Sequence, residues 1–375
     1  DSVLELGQQA FQGTQALSSV TIGSGITSIP HNCFVGSGLS SIVIPDTVEE
    51  LGSDAFSDTQ ATSIIIGSGV GDLSSWTFGR NRLLAEVFVP GTVGRIHGYA
   101  FKSCVALASV TIGHGVTSVD YQAFSDTALT GTVALPETVT HVHSEAFPSW
   151  ATLCGGDASL GYGDCDCANA HTSWYPAGHC CNDFASETSV DACTSCTGSL
   201  STECTMATCA SDYSWFMTAG YCCSLGDGDC GMFCRGPFPA DAPCPAALDC
   251  IDGTGHCTLS RDVAIVGDFA FDGMQSLTSI TLHSDISSIG AYAFRHSGLT
   301  SIVIPELVTE IPEGAFENCG DLTSVTLGSG VARIGERAFH NTGLTSLVLP
   351  DSVLELGQQA FQGTQALSSV TIGSG

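Results

Sequence analysis

The side chains best able to do chemistry are the cysteines. Of nineteen, sixteen fall in one stretch: Cys154, Cys165, Cys167, Cys180, Cys181, Cys193, Cys196, Cys204, Cys209, Cys222, Cys223, Cys230, Cys234, Cys244, Cys250 and Cys257. Such density points to an oxidising compartment and a disulfide framework, whose connectivity spacing alone does not fix. Cys193-x-x-Cys196, with His171, His179 and His256 nearby, has the spacing of half a zinc site. A structural zinc site presents two such knuckles, and the vicinal pairs Cys180-Cys181 and Cys222-Cys223 suit it poorly, so disulfides are expected and no metal is assigned. Asp164-Cys165-Asp166 and Asp227-Gly228-Asp229 place carboxylates two apart, as calcium loops do, but neither continues into a full loop. Solvated turns are the expectation there, with Ca²⁺ as the alternative and no other cofactor. His141-Val142-His143 offers two imidazoles of an extended segment without a third ligand, and reads as a surface pair. Serines are plentiful, yet no Gly-x-Ser-x-Gly elbow or nucleotide loop occurs, so no catalytic site is assigned and an enzyme is not expected.

Charge narrows the partners. Thirty-eight acidic residues stand against nine basic ones, a formal charge of −29, and Lys102 is the one lysine. Nucleic acids and anionic membrane surfaces need clustered Lys and Arg, so no nucleic-acid partner is expected and anionic membrane surfaces are disfavoured. No apolar run approaches the length of a membrane span. A hydrophobic content of 43% supplies ample core material.

That core is written as a ladder. Phe11, Phe34, Phe56, Phe78, Phe101, Phe124 and Phe147 follow one another at 22 or 23 residues, and after a gap so do Phe271, Phe294, Phe316, Phe339 and Phe361. A small residue usually precedes each, such as Ala10, Ala55 or Ala100, with Cys33 and Thr77 in the same slot. Each period reads as one turn of a solenoid. Leu17, Val20 and Ile22 mark the inward side of a short strand, Gly23-Ser24-Gly25 or Pro45-Asp46 a tight bend, and Ile26 and Ile29 the next apolar pair. One turn cannot bury these residues alone, so stacked turns with parallel strands about 4.8 Å apart are expected, with the phenylalanines as a spine. Phe leads the next Leu by six residues in one turn (Phe11 to Leu17) and five in the next (Phe34 to Leu39), so the turns alternate. One extra residue at Thr130-Gly131-Thr132 suggests a bulge.

The motif L-x-x-I-x-I-P-x-x-V-x-x-I-G-x-x-A-F, nearly complete from Leu299 to Phe316, resembles the Treponema pallidum-type leucine-rich repeats of the bacterial surface protein A-like family. The resemblance covers residues 1–153 and 257–375. It implies a mainly β fold, a parallel-strand leucine-rich-repeat solenoid, and a surface-exposed or secreted protein of adhesion or recognition. Fold does not carry ligand identity, and no binding residue transfers.

Residues 154–256 interrupt the ladder as a small disulfide-rich insert. It holds a duplication, CANAHTSWYPAGHCC from Cys167 matching CASDYSWFMTAGYCC from Cys209. The frame resumes at Cys257 and Leu259, so the insert is expected to leave one strand and return to it, with Cys257 either a buried thiol of the ladder or a partner at the insert's base. Cys33, Cys104 and Cys319 occupy core positions of distant turns and are expected as buried free thiols. The outward strand positions, among them Ser19/Thr21, Ser41/Val43, Ser63/Ile65 and Ser301/Val303, carry almost no charge, and Glu86 beside Phe88 is the exception. In so acidic a chain this sheet is a candidate contact face or O-glycosylated ladder, although small and β-branched residues suit any exposed strand.

Residues 351–375 repeat residues 1–25 without a substitution. This predicts a 350-residue period of a longer array, with no polar cap at either end and eleven turns advancing about 53 Å per period. The expected function is structural: an extracellular or cell-surface filament in which copies join end to end and laterally. A surface adhesin or receptor-like module using the neutral sheet or the insert is the alternative.

Overall fold

The computed structural model describes residues 3–162 and 255–372. The insert's cysteines from Cys165 to Cys250, the zinc candidates His171, His179, Cys193 and Cys196, and both acidic pairs, at Asp164-Cys165-Asp166 and Asp227-Gly228-Asp229, lie outside the described residues.

Apolar residues at the spacings noted above fold each period into one turn with two strands. The longer strand, such as Ser19–Ile22, Ser41–Val43 or Ser109–Ile112, alternates exposed and inward residues. The shorter one, such as Ser28–Ile29 or Glu50–Leu51, contributes a single buried aliphatic. Every strand pair is parallel and residue-matched, as in Ser41↔Ser63, Ile42↔Ile64 and Val43↔Ile65. Leu17, Ile26 and Ile29 are fully buried, and with their equivalents, of which Val142 is half-buried, they make one continuous core. The extra residue before Thr132 is absorbed at Gly131, where a side chain would meet nothing, and Val133 and Leu135 stay buried in register.

The third side of each turn carries the phenylalanine. All twelve are buried, and consecutive rings stack at 4.9–5.9 Å between centroids with interplanar angles of 1–20°. This offset stacking adds to the burial of roughly 150–250 Å² per ring. The backbone here is bent, yet it forms a ladder of its own. Phe11 N–H donates to the Cys33 carbonyl at 2.9 Å, Phe34 to Ala55 at 2.8 Å and Phe271 to Ala293 at 2.6 Å. Flanking residues do the same, as in Gln9 N to His31 O and Gly13 N to Val35 O. What makes this possible is a left-handed residue two before and two after every phenylalanine of the spine except Phe147: Asn32, Asp54 and Asp58, for example, have φ of 58°, 57° and 56°. Gly13 and Gly363 hold the second position at φ 73° and 72°, where absence of a Cβ removes the strain.

The order of turns in space differs from their order in the chain. The strand Glu355–Leu356 pairs with Glu5–Leu6, and Ser369–Ile372 pairs with Ser19–Ile22 over four matched residues. The stack therefore begins at His256–Thr258, runs to the end of the chain, continues from its beginning, and finishes at Thr152–Gly155. The expectation that the insert leaves one strand and returns to it is corrected: Thr152–Gly155 pairs with Thr132–Leu135, whereas His256–Thr258 pairs with Ser279–Thr281. The physical reason is that Thr152–Gly155 already fills all four positions of its strand, leaving none for Cys257 and Leu259 to complete. The identical end segments meanwhile offer each other a full set of turn-to-turn contacts.

Candidate functional site

The long-strand face carries almost no charge. Parallel register aligns its outward residues in columns, a serine column beside one of Thr, Val and Ile. Val43, Ile65 and Phe88, on three successive turns, are 52%, 60% and 57% exposed, and Glu86 stands next to Phe88. Toward the start of the stack His256 joins the serine column, with Nδ1 2.8 Å from Ser279 Oγ.

The short-strand face is charged and internally paired. Arg95 Nε donates to Asp120 at 2.8 Å, and His97 Nδ1 lies 3.4 Å from the same carboxylate. Asp120 raises the Arg95 pKa further. Arg333 bridges Glu310 at 3.4 Å and Glu355 at 3.1 Å. Of the two histidines around Val142, His143 accepts the Glu145 N–H at 3.1 Å and packs edge-on against Tyr121, while His141 lies exposed on its strand. Among the described residues no group of three His, Cys, Asp or Glu is placed to hold a metal, and no helix is long and apolar enough to cross a membrane.

The bent side carries a feature that sequence reasoning missed. Trp76 and Tyr99 occupy the left-handed position before the phenylalanine at φ 60° and 67°, as do Phe269 and Tyr292 at 56° and 57°. Bulky residues there cost of order 1–3 kcal/mol each. Stacking on the neighbouring turn offsets that cost, with Trp76 and Tyr99 at 5.0 Å and Phe269 and Tyr292 at 5.1 Å. Cations cover the pairs: Arg80 sits 4.9 Å from the Trp76 ring, Lys102 5.4 Å from Tyr99, and Arg295 5.0 Å from Tyr292. Arg80 and Arg295 are themselves anchored to Asp54 and Asp272. The signal was present in the sequence, since Trp76 and Tyr99, like Phe269 and Tyr292, are one period apart.

Beneath the spine, three residues after ten of the twelve phenylalanines, runs a buried polar or thiol column, with Met274 after Phe271 and the exposed Trp150 after Phe147 as the exceptions. Thr14, Thr127 and Thr342 donate to the carbonyl of their own phenylalanine at 2.8, 2.8 and 3.0 Å. Asn81 fills the slot once, donating to the Phe56 and Phe78 carbonyls at 3.0 Å each and accepting from Thr59 N–H and Oγ1 at 2.9 and 2.6 Å. Cys104 and Cys319 fill it elsewhere, with Sγ 3.2 Å from Phe78 O and 2.9 Å from Phe294 O, while Cys33 takes the small-residue slot before Phe34. All three are buried free thiols. Burial pushes the Cys104 thiol up to about 12 and raises Cys33 and Cys319 as well, so these thiols hold the backbone and are not nucleophiles. Cys154 and Cys257 are also buried, and neither is a free thiol.

The contact between the two identical segments is as complete as any other step. Phe361 and Phe11 stack at 5.5 Å. Gln359 Nε2 donates to Gln9 Oε1 at 2.6 Å, and Gln362 Nε2 to Gln12 Oε1 at 2.7 Å. The backbones approach so closely at Gly7 that a Cβ there would lie 2.2 Å from Gly357 C. Two six-residue turns become neighbours here, as they also do at Phe78 and Phe101, so the expected alternation of turn types is not strict. Glu5 faces Glu355 directly, and a cleft of about 260 Å³ lined by Glu5, Arg333, Glu336 and Glu355 crosses the contact.

With this geometry in hand, comparison with known proteins adds the following. Residues 4–130 and 252–368 match the profile described as BspA type Leucine rich repeat region, in 6 copies. Among solved structures, a leucine-rich repeat protein from Bacteroides ovatus ATCC 8483 is 17% identical, with a TM-score of 0.34 over 99% of this chain and 82% of that one. A leucine rich cell surface protein from Faecalibacterium prausnitzii A2-165 is 21% identical, with a TM-score of 0.30 over 94% and 78% of the two chains. The pneumococcal vaccine antigen PcpA is 16% identical, with a TM-score of 0.31 over 95% and 71%. No curated protein matches the sequence.

Proposed function

The chain belongs to the BspA-type leucine-rich-repeat family, and from that premise we propose that it is a structural protein of a filament at the cell surface or outside the cell, built from tandem 350-residue solenoid periods. The observation that carries this reading is the exact recurrence of residues 1–25 at 351–375. A long array needs the same surface at every period, which conserves sequence between periods in a way that a lone binding site does not. Family membership supports the location, and the disulfide-rich composition of 154–256 fits an oxidising exterior. The role needs no cofactor and no catalysis. Copies of the chain are its partners, end to end and along the uncharged face, which is also open to O-glycans.

Electron microscopy of the native material tests this reading. Filaments with an axial repeat of about 53 Å, eleven turns of about 4.8 Å each, are expected. Discrete particles without an axial repeat would refute it. An adhesin is the second reading, favoured by the exposed Val43–Ile65–Phe88 patch beside Glu86. Retention of ligand by the protein and its loss in Phe88→Ser would then be observed in place of filaments.

A further inference from the structure

We propose that the contact between residues 351–372 and residues 3–22 is exchangeable between molecules, so that residues 351–372 of one copy stack on residues 3–22 of a second copy. This deepens the filament reading, on which it rests, by naming the partner and the surface; with residues 3–22 and 351–372 on separate turns, each copy adds twelve turns, an axial repeat of about 58 Å.

Three observations carry it. First, the contact joins residues 350 apart in sequence, and the described chain from residue 3 to 162 meets that from 255 to 372 across it. No short connection dictates which copy supplies the other side. Second, it is a complete interface. It has two matched strand pairs, the Phe361–Phe11 stack, two glutamine–glutamine bonds and three spine hydrogen bonds, from Gln359, Phe361 and Gly363 N–H to the carbonyls of Gln8, Ala10 and Gln12. Third, it is heterologous: the 351–372 side supplies spine donors and the 3–22 side spine acceptors. A contact of that kind does not close on itself as a two-fold dimer does. Repeated between molecules it extends head to tail without limit.

Which form prevails is a question of concentration. Contact within one chain competes at an effective concentration of roughly millimolar. Exchange between chains therefore takes over when local concentration passes that level, as it does for copies crowded on one surface. Glu5 opposite Glu355 weakens the contact in either form, since like charges directly across a strand pair are destabilising, and Arg333 offsets it from one side only.

The test uses the whole chain. Gln12→Cys with one affinity tag is mixed with Gln362→Cys carrying another, and a short bismaleimide joins thiols that come within reach. The double variant, Gln12→Cys with Gln362→Cys, reports the contact within one chain. The expected result is cross-linked species carrying both tags, with the 12–362 linkage found by mass spectrometry and a yield that rises from roughly 1 µM to 1 mM protein. Gly7→Val, which places a side chain against the Gly357 backbone, lowers that yield at least tenfold. Glu5→Arg, which sets a cation opposite Glu355, raises it. Cross-linking confined to single chains at every concentration overturns the inference. So does a yield indifferent to both Gly7→Val and Glu5→Arg. Native filaments lacking a 12–362 linkage between chains would leave the filament reading standing and sink the exchange. Linked oligomers of a few copies with no filament would do the reverse.

Discussion

Asn81 is the most informative single side chain to remove. It is fully buried and makes four hydrogen bonds, two to the carbonyls of Phe56 and Phe78 and two from Thr59. In Asn81→Ala two buried backbone groups, Phe56 O and Thr59 N, are left without a partner, while Phe78 O keeps the Cys104 thiol. Each stranded group costs about 1–3 kcal/mol, and partial rescue by water brings the sum to about 2–4 kcal/mol. In a solenoid each turn leans on its neighbours alone, so the loss should be local and concentrated between residues 53 and 84. Hydrogen exchange read by mass spectrometry is the suitable assay, because it resolves local opening. At about 1.4 kcal/mol per factor of ten, protection there should fall by roughly one and a half to three orders of magnitude. Peptides from the turns of Phe294 and Phe316 should be unchanged. Asn81→Thr should be milder, since Thr14, Thr127 and Thr342 show that threonine serves this slot. Asn81→Asp should be the most damaging, because a carboxylate oxygen would replace the amide that faces two carbonyls. Protection in Asn81→Ala within threefold of the parent would refute the reasoning that this column holds the spine.

Ser37 occupies the same column, but its hydroxyl is buried without a partner. Ser37→Ala should therefore be neutral or stabilising by up to about 1 kcal/mol in urea titrations, opposite in sign to Asn81→Ala. Phe34→Ala removes a ring stacked on both sides and should cost about 3–5 kcal/mol by the same titration. Cys33, Cys104 and Cys319 should resist iodoacetamide at pH 8 until the protein is unfolded, and Cys104→Thr should retain nearly full stability; rapid alkylation of the native chain would contradict their burial. Burial is the main reason that the His340 pKa is lowered, with Arg337 adding to it and Glu317 opposing it, and Asn341 Nδ2 lies 2.9 Å from Nε2. The unfolded chain therefore binds this proton more readily, so the stabilisation is present above pH of about 6.5 and is lost as pH falls through the folded value. His340→Gln should flatten that part of the stability-against-pH curve.

The parts of the fold legible in sequence were those set by volume and period. Phe11, Leu17, Ile26 and Ile29 recur at fixed spacing because every turn must fill the same cross-section, and all are buried where expected. The left-handed positions were obscured because Asn32 and Asp54 announce them whereas Trp76 and Tyr99 disguise them. Stacking across turns decides the latter pair, and composition does not display it. The order of the stack was illegible for a different reason. A strict repeat specifies that a turn packs on a turn, and two identical segments are equally good answers to which one. The uncharged strand face was found because charge is scarce there by residue type, while the aromatic pairs under Arg80 and Arg295 needed the third dimension to be seen.

The spine ladder has an electrical meaning. From Phe271 to Phe124 its bonds all run the same way, each N–H toward the later turn of the stack. Each peptide unit carries about 3.5 D, and aligned units add as they do along an α-helix. In the two strand faces the bonds lie in both directions and largely cancel. The solenoid is thus a macroscopic dipole, positive at the Phe147 end and negative at the Phe269 end. Two such rods lying side by side are drawn into opposite directions, whereas two on a common axis are drawn head to tail. A bundle of these molecules would carry the choice between polar and antipolar order in its backbone, independent of any side chain on its surface.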